Sequence, residues 1–224
     1  MKKILLVCGA GMSTSLLVKK MKENDREYNY QIKCCDVLSA KIHLLDNDIL
    51  LLAPHISYMK SEFEPLCKKN HVSFMVIDIL DYTRMDGGSV LKKAQEKLYM
   101  YEKENPFHVV LLHNNSGAMS DLLLLDMNKK RKDDEKTWLI ESIVVDWFEN
   151  KNSTYHVLLL EPQIRFEEKN LRKQIKDSLV IINVPPMSIY ASFDGRKMLD
   201  YIHKLFEEEL IKEKIKAKEG LEKI

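Results

Sequence analysis

The 224 residues carry 35 Lys and Arg against 34 Asp and Glu, a formal charge of +1, so no electrostatic excess points to nucleic acid or to an acidic membrane surface. Hydrophobic residues make up 45% of the chain, ample for packed cores, and the length holds one large or two small domains. No apolar run approaches the ~18 residues that cross a bilayer, and Ile4–Val7 is too short for a signal-peptide core. The four cysteines, Cys8, Cys34, Cys35 and Cys67, all lie in the first half. Adjacent Cys34 and Cys35 on a strand would point to opposite faces, which disfavours a bridge between them, and a reduced, cytoplasmic setting is expected. No Cys/His spacing suggests zinc, and the methionines fall mainly at helix-core spacings, so neither a metal nor another cofactor is expected.

In chain order, Ile4–Val7 reads as a buried strand, broken by Gly9 and Gly11, and Met12–Met21 as a helix with Leu16, Leu17 and Met21 on one face. Tyr28–Val37 reads as a second strand, Leu38–Leu45 as a short helix, and Asp48–Ala53 as an apolar strand stopped by Pro54. Tyr58–Lys69 reads as a helix, Val72–Ile77 as the fourth strand, and a last helix runs from Asp86-Gly87-Gly88 to about Glu104. This alternation predicts an α/β domain, a doubly wound four-stranded parallel sheet covered on both faces. Ligands of such sheets bind at the carboxyl ends of the strands, where Cys8, Pro54–His55 and Asp78–Tyr82 all fall. There His55 could help orient a phosphate, although a solvated loop is the more ordinary place for a histidine.

Cys8 ends a buried strand just before a helix N-terminus. Amides freed by the glycines, the positive end of the helix and the hydroxyls of Ser13, Thr14 and Ser15 can converge on one anion. The same field favours a thiolate nucleophile at Cys8; taken alone, a cysteine here is more often a small buried hydrophobe. Gly-Lys-Ser/Thr is absent, which disfavours a Walker loop. A cysteine-dependent phosphatase loop places an arginine six positions after the cysteine, and that position is Thr14. Without a guanidinium to gather transition-state charge, the loop reads as one that holds a phosphoryl group rather than hydrolysing it.

Cys8-Gly-Ala-Gly-Met-Ser-Thr-Ser15, together with Leu-Leu-Leu-Ala-Pro-His-Ile-Ser-Tyr58 and Ile-Asp-Ile-Leu-Asp-Tyr82, resembles the IIB component of the lactose/cellobiose-type sugar phosphotransferase system. The resemblance covers residues 1–104 and implies a flavodoxin-like, low-molecular-weight-phosphatase-like fold. It implies that Cys8 takes a phosphoryl group from a histidine of a IIA protein and passes it to a sugar held by a membrane IIC protein. It makes Gly9, Ala10, Gly11, Met12, Ser13, Thr14 and Ser15 the phosphate cradle and places Tyr82 near it on a neighbouring loop.

The second half repeats the first. A constant offset of 108 maps Leu50-Leu-Leu-Ala-Pro54 onto Leu158-Leu-Leu-Glu-Pro162, Tyr82 onto Tyr190 and Asp86-Gly87 onto Asp194-Gly195; the opening strand Ile4–Val7 corresponds to Val109–Leu112. This implies two tandem copies, 1–104 and 106–224, joined at the charged stretch Glu102–Pro106. His113 stands where Cys8 stood, in a loop one residue longer, and Asp78 and Asp81 map onto Pro186 and Ile189. The second copy is therefore expected to be degenerate, with His113 a polar residue in a decayed site. Gln163-Ile-Arg165 still resembles family wording. The mixed-sign run Asn128–Lys136 reads as a solvated loop, and Leu199–Ile224 as a long amphipathic helix. The expected function is that of a cytoplasmic phosphoryl carrier. The alternatives are a non-catalytic regulatory or interaction protein built from such domains and, less well supported, a thiol phosphatase.

Overall fold

Strand β1, Lys2–Cys8, lies inside a parallel sheet, paired on one side with β2 (Tyr30–Asp36) and on the other with β3 (Ile49–Leu52), beyond which lies β4 (Ser73–Val76). A strand so placed is covered on both faces and must be apolar throughout. Ile4 to Cys8 and Ile49 to Leu52 are accordingly all buried. These coordinates come from a computed structural model that describes residues 1–9, 12–27, 29–114, 117–148, 155–175 and 179–221. The chain forms two units, Met1–Tyr101 with the stretch from Leu210, and Glu102–Glu209. The second unit holds β5 (His108–His113), β6 (Leu139–Val144), β7 (Val157–Leu160) and β8 (Ile181–Asn183). Its strand order, β6-β5-β7-β8, matches the order β2-β1-β3-β4 of the first unit. The fold is α/β, two four-stranded parallel sheets with flanking helices.

The helices of the first unit are α1 (Met12–Asn24), α2 (Val37–His43), α3 (Lys60–Lys69), α4 (Ile79–Thr83) and α5, which begins at Gly87 and runs to Glu104. Those that follow are α6 (Ala118–Lys129), α7 (Glu168–Gln174), α8 (Met187–Tyr190) and α9 (Gly195–Leu221). In the second unit the two-residue period of the strands sorts the core into two layers. Val109 and Leu111 pack with Leu123 and Met127 of α6 and Met198, Leu199 and Ile202 of α9. Val110 and Leu112 pack on the opposite face with Leu171 of α7.

Two departures from the sequence reading bear on the site. The helix expected over Tyr58–Lys69 is α3 preceded by a 3₁₀ turn, Pro54–Met59, kinked at Ile56 (φ −113°, ψ 20°). Pro54 starts the turn, and the buried Ile56 draws it back onto the sheet. The second unit repeats the kink at Ile164 (φ −107°, ψ 21°) after Pro162. The second departure is α4, expected as a loop. The Asp78 side chain caps it, accepting from the Leu80 N–H at 2.8 Å and the Asp81 N–H at 3.3 Å.

Glycine sets one interhelical distance in each unit. A Cβ on Gly87 would lie 2.4 Å from the backbone of Lys20 and Met21, and one on Gly195 2.2 Å from the Met127 nitrogen. The first turn of α5 thus rests on the backbone of α1, and that of α9 on α6, with no side chain between. Gly87→Ala should cost ~2 kcal/mol, as overpacking does, whereas at an ordinary helical glycine the same change would gain up to about 1 kcal/mol. Chemical denaturation gives the sign directly, and an unchanged or raised midpoint would refute the contact.

The charged run before β6 is not a fully solvated loop. Its 3₁₀ turn, Asp133–Glu135, buries the Glu135 side chain completely. The carboxylate accepts two bonds from Arg196, at 2.8 and 2.6 Å, one from the Lys132 N–H at 2.7 Å, and lies 2.8 Å from His203 Nε2. Burial opposes its ionisation, but these donors, the Arg196 guanidinium first, outweigh that and hold the carboxyl at about 2, below its ordinary 4.5. The pairing is complete above pH 4.5 and is lost as pH falls from there toward 2. Glu135→Gln should cost ~3 kcal/mol at neutral pH, because it removes the buried carboxylate and leaves the Arg196 guanidinium only its exposed ion-pair partner Asp200. The gap between wild type and variant should narrow on going from pH 7 to pH 3, as read from denaturant midpoints; a gap independent of pH would exclude this role.

Candidate active site

Cys8 is the last residue of β1 and is 1% exposed. Being hydrogen-bonded to both neighbouring strands, β1 cannot shift without breaking its ladders, so the sulfur has a fixed address at the carboxyl edge of the sheet. The side chain turns toward α1, where fully buried Thr14 places its Oγ1 2.8 Å from the Cys8 Sγ. When the sulfur is an anion only the hydroxyl can donate, and the contact then runs from Thr14 to the sulfur.

The remaining predicted cradle divides. Gly9 is exposed and presents its N–H toward His55 Nε2, 3.5 Å away. A Cβ at Gly9 would make only ordinary contacts, with Ile56 at 3.6 Å and His55 at 3.8 Å. Ser15 is exposed, and its hydroxyl lies 3.8 Å from the Cys34 sulfur. Met12 and Ser13 begin α1. Ala10 and Gly11 lie outside the described residues. Tyr82 sits in α4 rather than on a loop, buried, with its ring centroid 5.6 Å from that of His55. His55, placed by the sequence at the same rim, is brought by the structure to Gly9 and Tyr82. Its position after Pro54 at the end of β3 was the available signal, and the kinked turn is what brings it to Gly9.

Two of the other thiols are poorly suited to compete. Burial, then the nearby Asp36, Cys34 and Cys8, pushes the Cys35 thiol up to about 12. Burial does the same to Cys67. Among the described residues no cluster of three or more His, Cys, Asp or Glu is placed to hold a metal ion, and no helix is long and apolar enough to cross a membrane.

Around this edge the first unit exposes large apolar side chains: Leu16 on α1, Tyr58 on the kinked turn and Ile79 on α4. The second unit exposes Leu122, Phe166 and Met187 at the corresponding places. What lies inside that rim differs. His113 ends β5 where Cys8 ends β1, and it is buried. Gly117, at φ +44°, passes so near the imidazole that a Cβ would lie 2.7 Å from His113 Cε1. The hydroxyl corresponding to Thr14 is that of Ser120, and it bonds the Tyr190 hydroxyl at 2.6 Å.

Residues 3–93 match the family described as PTS system, Lactose/Cellobiose specific IIB subunit. The oligo-beta-mannoside-specific EIIB component of Bacillus subtilis is 39% identical over 99 residues, 43% of this chain and 92% of the relative. The galactose-specific EIIB component of Lactococcus lactis subsp. cremoris is 39% identical over 101 residues, 42% of this chain and 94% of the relative. The cellobiose-specific EIIB component of Lactococcus lactis subsp. lactis is 38% identical over 101 residues, with the same coverage of 42% and 94%. Matched over nearly the whole length of these proteins, the chain belongs to the lactose/cellobiose-specific IIB family of the sugar phosphotransferase system.

Proposed function

We propose that the first unit is a phosphoryl carrier acting through Cys8, and that the second is a degenerate copy of it without a nucleophile. The observation that carries this reading is the buried Cys8–Thr14 contact at the end of a strand fixed on both sides. The Cys8 thiolate attacks the phosphorus of a phosphohistidine on a IIA protein; the S–P bond forms, the P–N bond breaks, and the nitrogen keeps the electron pair. A sugar hydroxyl held by a membrane IIC component then attacks the same phosphorus. The S–P bond breaks, the thiolate is restored, and the hydroxyl proton leaves to base. Amides of the loop that begins at Gly9 and the N-terminal end of α1 stabilise the charge on the transferring oxygens, and Thr14 stabilises the sulfur as attacking and leaving group. The apolar rim of Leu16, Tyr58 and Ile79 surrounds this centre and suits it to partners that must exclude water during transfer. The setting is the cytoplasm, and the sugar is chosen by the component that holds it.

Thr14 in place of an arginine separates carrier from phosphatase. With no guanidinium on the equatorial oxygens, phosphocysteine persists until an acceptor arrives.

Incubation with phosphoenolpyruvate, the general phosphotransfer proteins and candidate IIA proteins should add one phosphoryl group, mapped to Cys8 by intact and peptide mass. Cys8→Ser should abolish uptake, and label on His113 instead would move the site to the second unit. Thr14→Val should slow uptake about tenfold, the equivalent of one lost hydrogen bond of ~1.4 kcal/mol. Wild type should give no steady release of phenol from phenyl phosphate; Cys8-dependent turnover would favour the phosphatase reading.

A further inference from the structure

The second unit holds a buried polar group that the carrier reading does not use. Glu161 follows β7 where Ala53 follows β3, and the two amides make the same bond to the central strand, Ala53 N–H to the Val7 carbonyl at 2.9 Å and Glu161 N–H to the Leu112 carbonyl at 2.8 Å. The backbone is therefore equivalent and only the side chain differs. Ala53 is fully buried and puts a methyl group beside the ends of β1 and β3. Glu161 is 4% exposed and puts a carboxylate there.

That carboxylate points at the loop. Its Oε2 accepts from the Asn114 N–H at 3.3 Å, and Asn114 follows His113 as Gly9 follows Cys8. Tyr190 lies close to it: burial, followed by the charge of Glu161, pushes its hydroxyl up to about 12 although Ser120, 2.6 Å away, opposes this. A loop amide thus donates to a negative group at the strand ends, beside the phenol of Tyr190, the recognition that a tetrahedral oxyanion would otherwise receive.

We infer that the second unit contains an oxyanion cradle occupied by its own Glu161 carboxylate, and that inorganic phosphate enters it only when this side chain is removed. The inference rests on the reading of the first unit as a phosphoryl carrier for the kinship of the two loops. It gives the second unit a definite state. It is a copy that neither accepts nor releases a phosphoryl group, because an anion is covalently resident.

The experiment is a titration of the full-length, ¹⁵N-labelled chain with inorganic phosphate, followed at the amide signals of Asn114 and Gly117 and, in the same spectra, of Gly9. In wild type Asn114 and Gly117 should stay fixed over the range in which Gly9 shifts. In Glu161→Ala, which installs the residue the first unit carries, Asn114 and Gly117 should shift with saturation. Before any phosphate is added, Glu161→Gln should already move the Asn114 amide proton upfield, through loss of a charge-assisted bond, and leave Gly9 in place. That second variant tests the contact even if Glu161→Ala does not fold. Saturable shifts of Asn114 and Gly117 in wild type, a folded Glu161→Ala chain indifferent to phosphate, or an Asn114 signal unmoved in Glu161→Gln would each overturn the inference. A silent Gly9 alongside a responsive Glu161→Ala chain would count against the first unit's role and leave the occupied cradle standing.

Discussion

Strand β1 is paired along its length with β2 and over its inner residues with β3, while Ile4 to Cys8 are buried on both faces of the sheet. Neither translation nor a change of register is open to it without breaking both ladders and repacking the side chains of both layers. The sulfur of Cys8 inherits that rigidity without any special device. Whatever the loop after it does, the sulfur stays at the edge of the sheet, and Thr14 meets it from a helix held against the same core. A carrier that must accept from one partner and donate to another is served by a fixed atom and a short polar loop.

The second unit shows what the same scaffold does when the polar groups at its edge are exchanged. Replacing sulfur by imidazole and a methyl by a carboxylate turns the hydroxyl of the flanking helix from the strand end, as in Thr14 to Cys8, to a tyrosine, as in Ser120 to Tyr190. Burial makes such exchanges correlated. A carboxylate at Glu161 needs a donor, and the loop amide of Asn114 supplies one. The exposed apolar residues outside the edge are under no such constraint and are apolar in both units, Tyr58 against Phe166 and Ile79 against Met187.

Much of this was legible in the residues because strand periodicity and apolar runs depend on neighbours close in sequence. The parallel α/β units, the repeat and the position of Cys8 at a strand end belong to that class. Other features required contacts between distant segments. Glu135 looks like one charge among many in Asn128–Lys136, and only the arrival of Arg196 and His203 from α9 makes it a buried anion. That Ser15 turns toward Cys34 depends on where β2 passes α1. Helix α4 was hidden by its brevity, although its cap at Asp78 could have announced it. The alignment gave Glu161 opposite Ala53, but the direction of a side chain is not written in an alignment.

The glycine contacts between helices have a consequence for how such a loop can change. Between the two units the correspondence of residues slips by one across the loop that precedes the helix and by two more before β2 or β6, yet Lys20–Met21 and Asp126–Met127 meet the same glycine. The helix is pinned at that point like a rod held in a clamp, and added length is taken up on either side of the clamp. Insertions can therefore lengthen or rebuild the loop after the central strand while the packing behind it keeps its registration. On this scaffold, loop chemistry and core architecture are mechanically uncoupled.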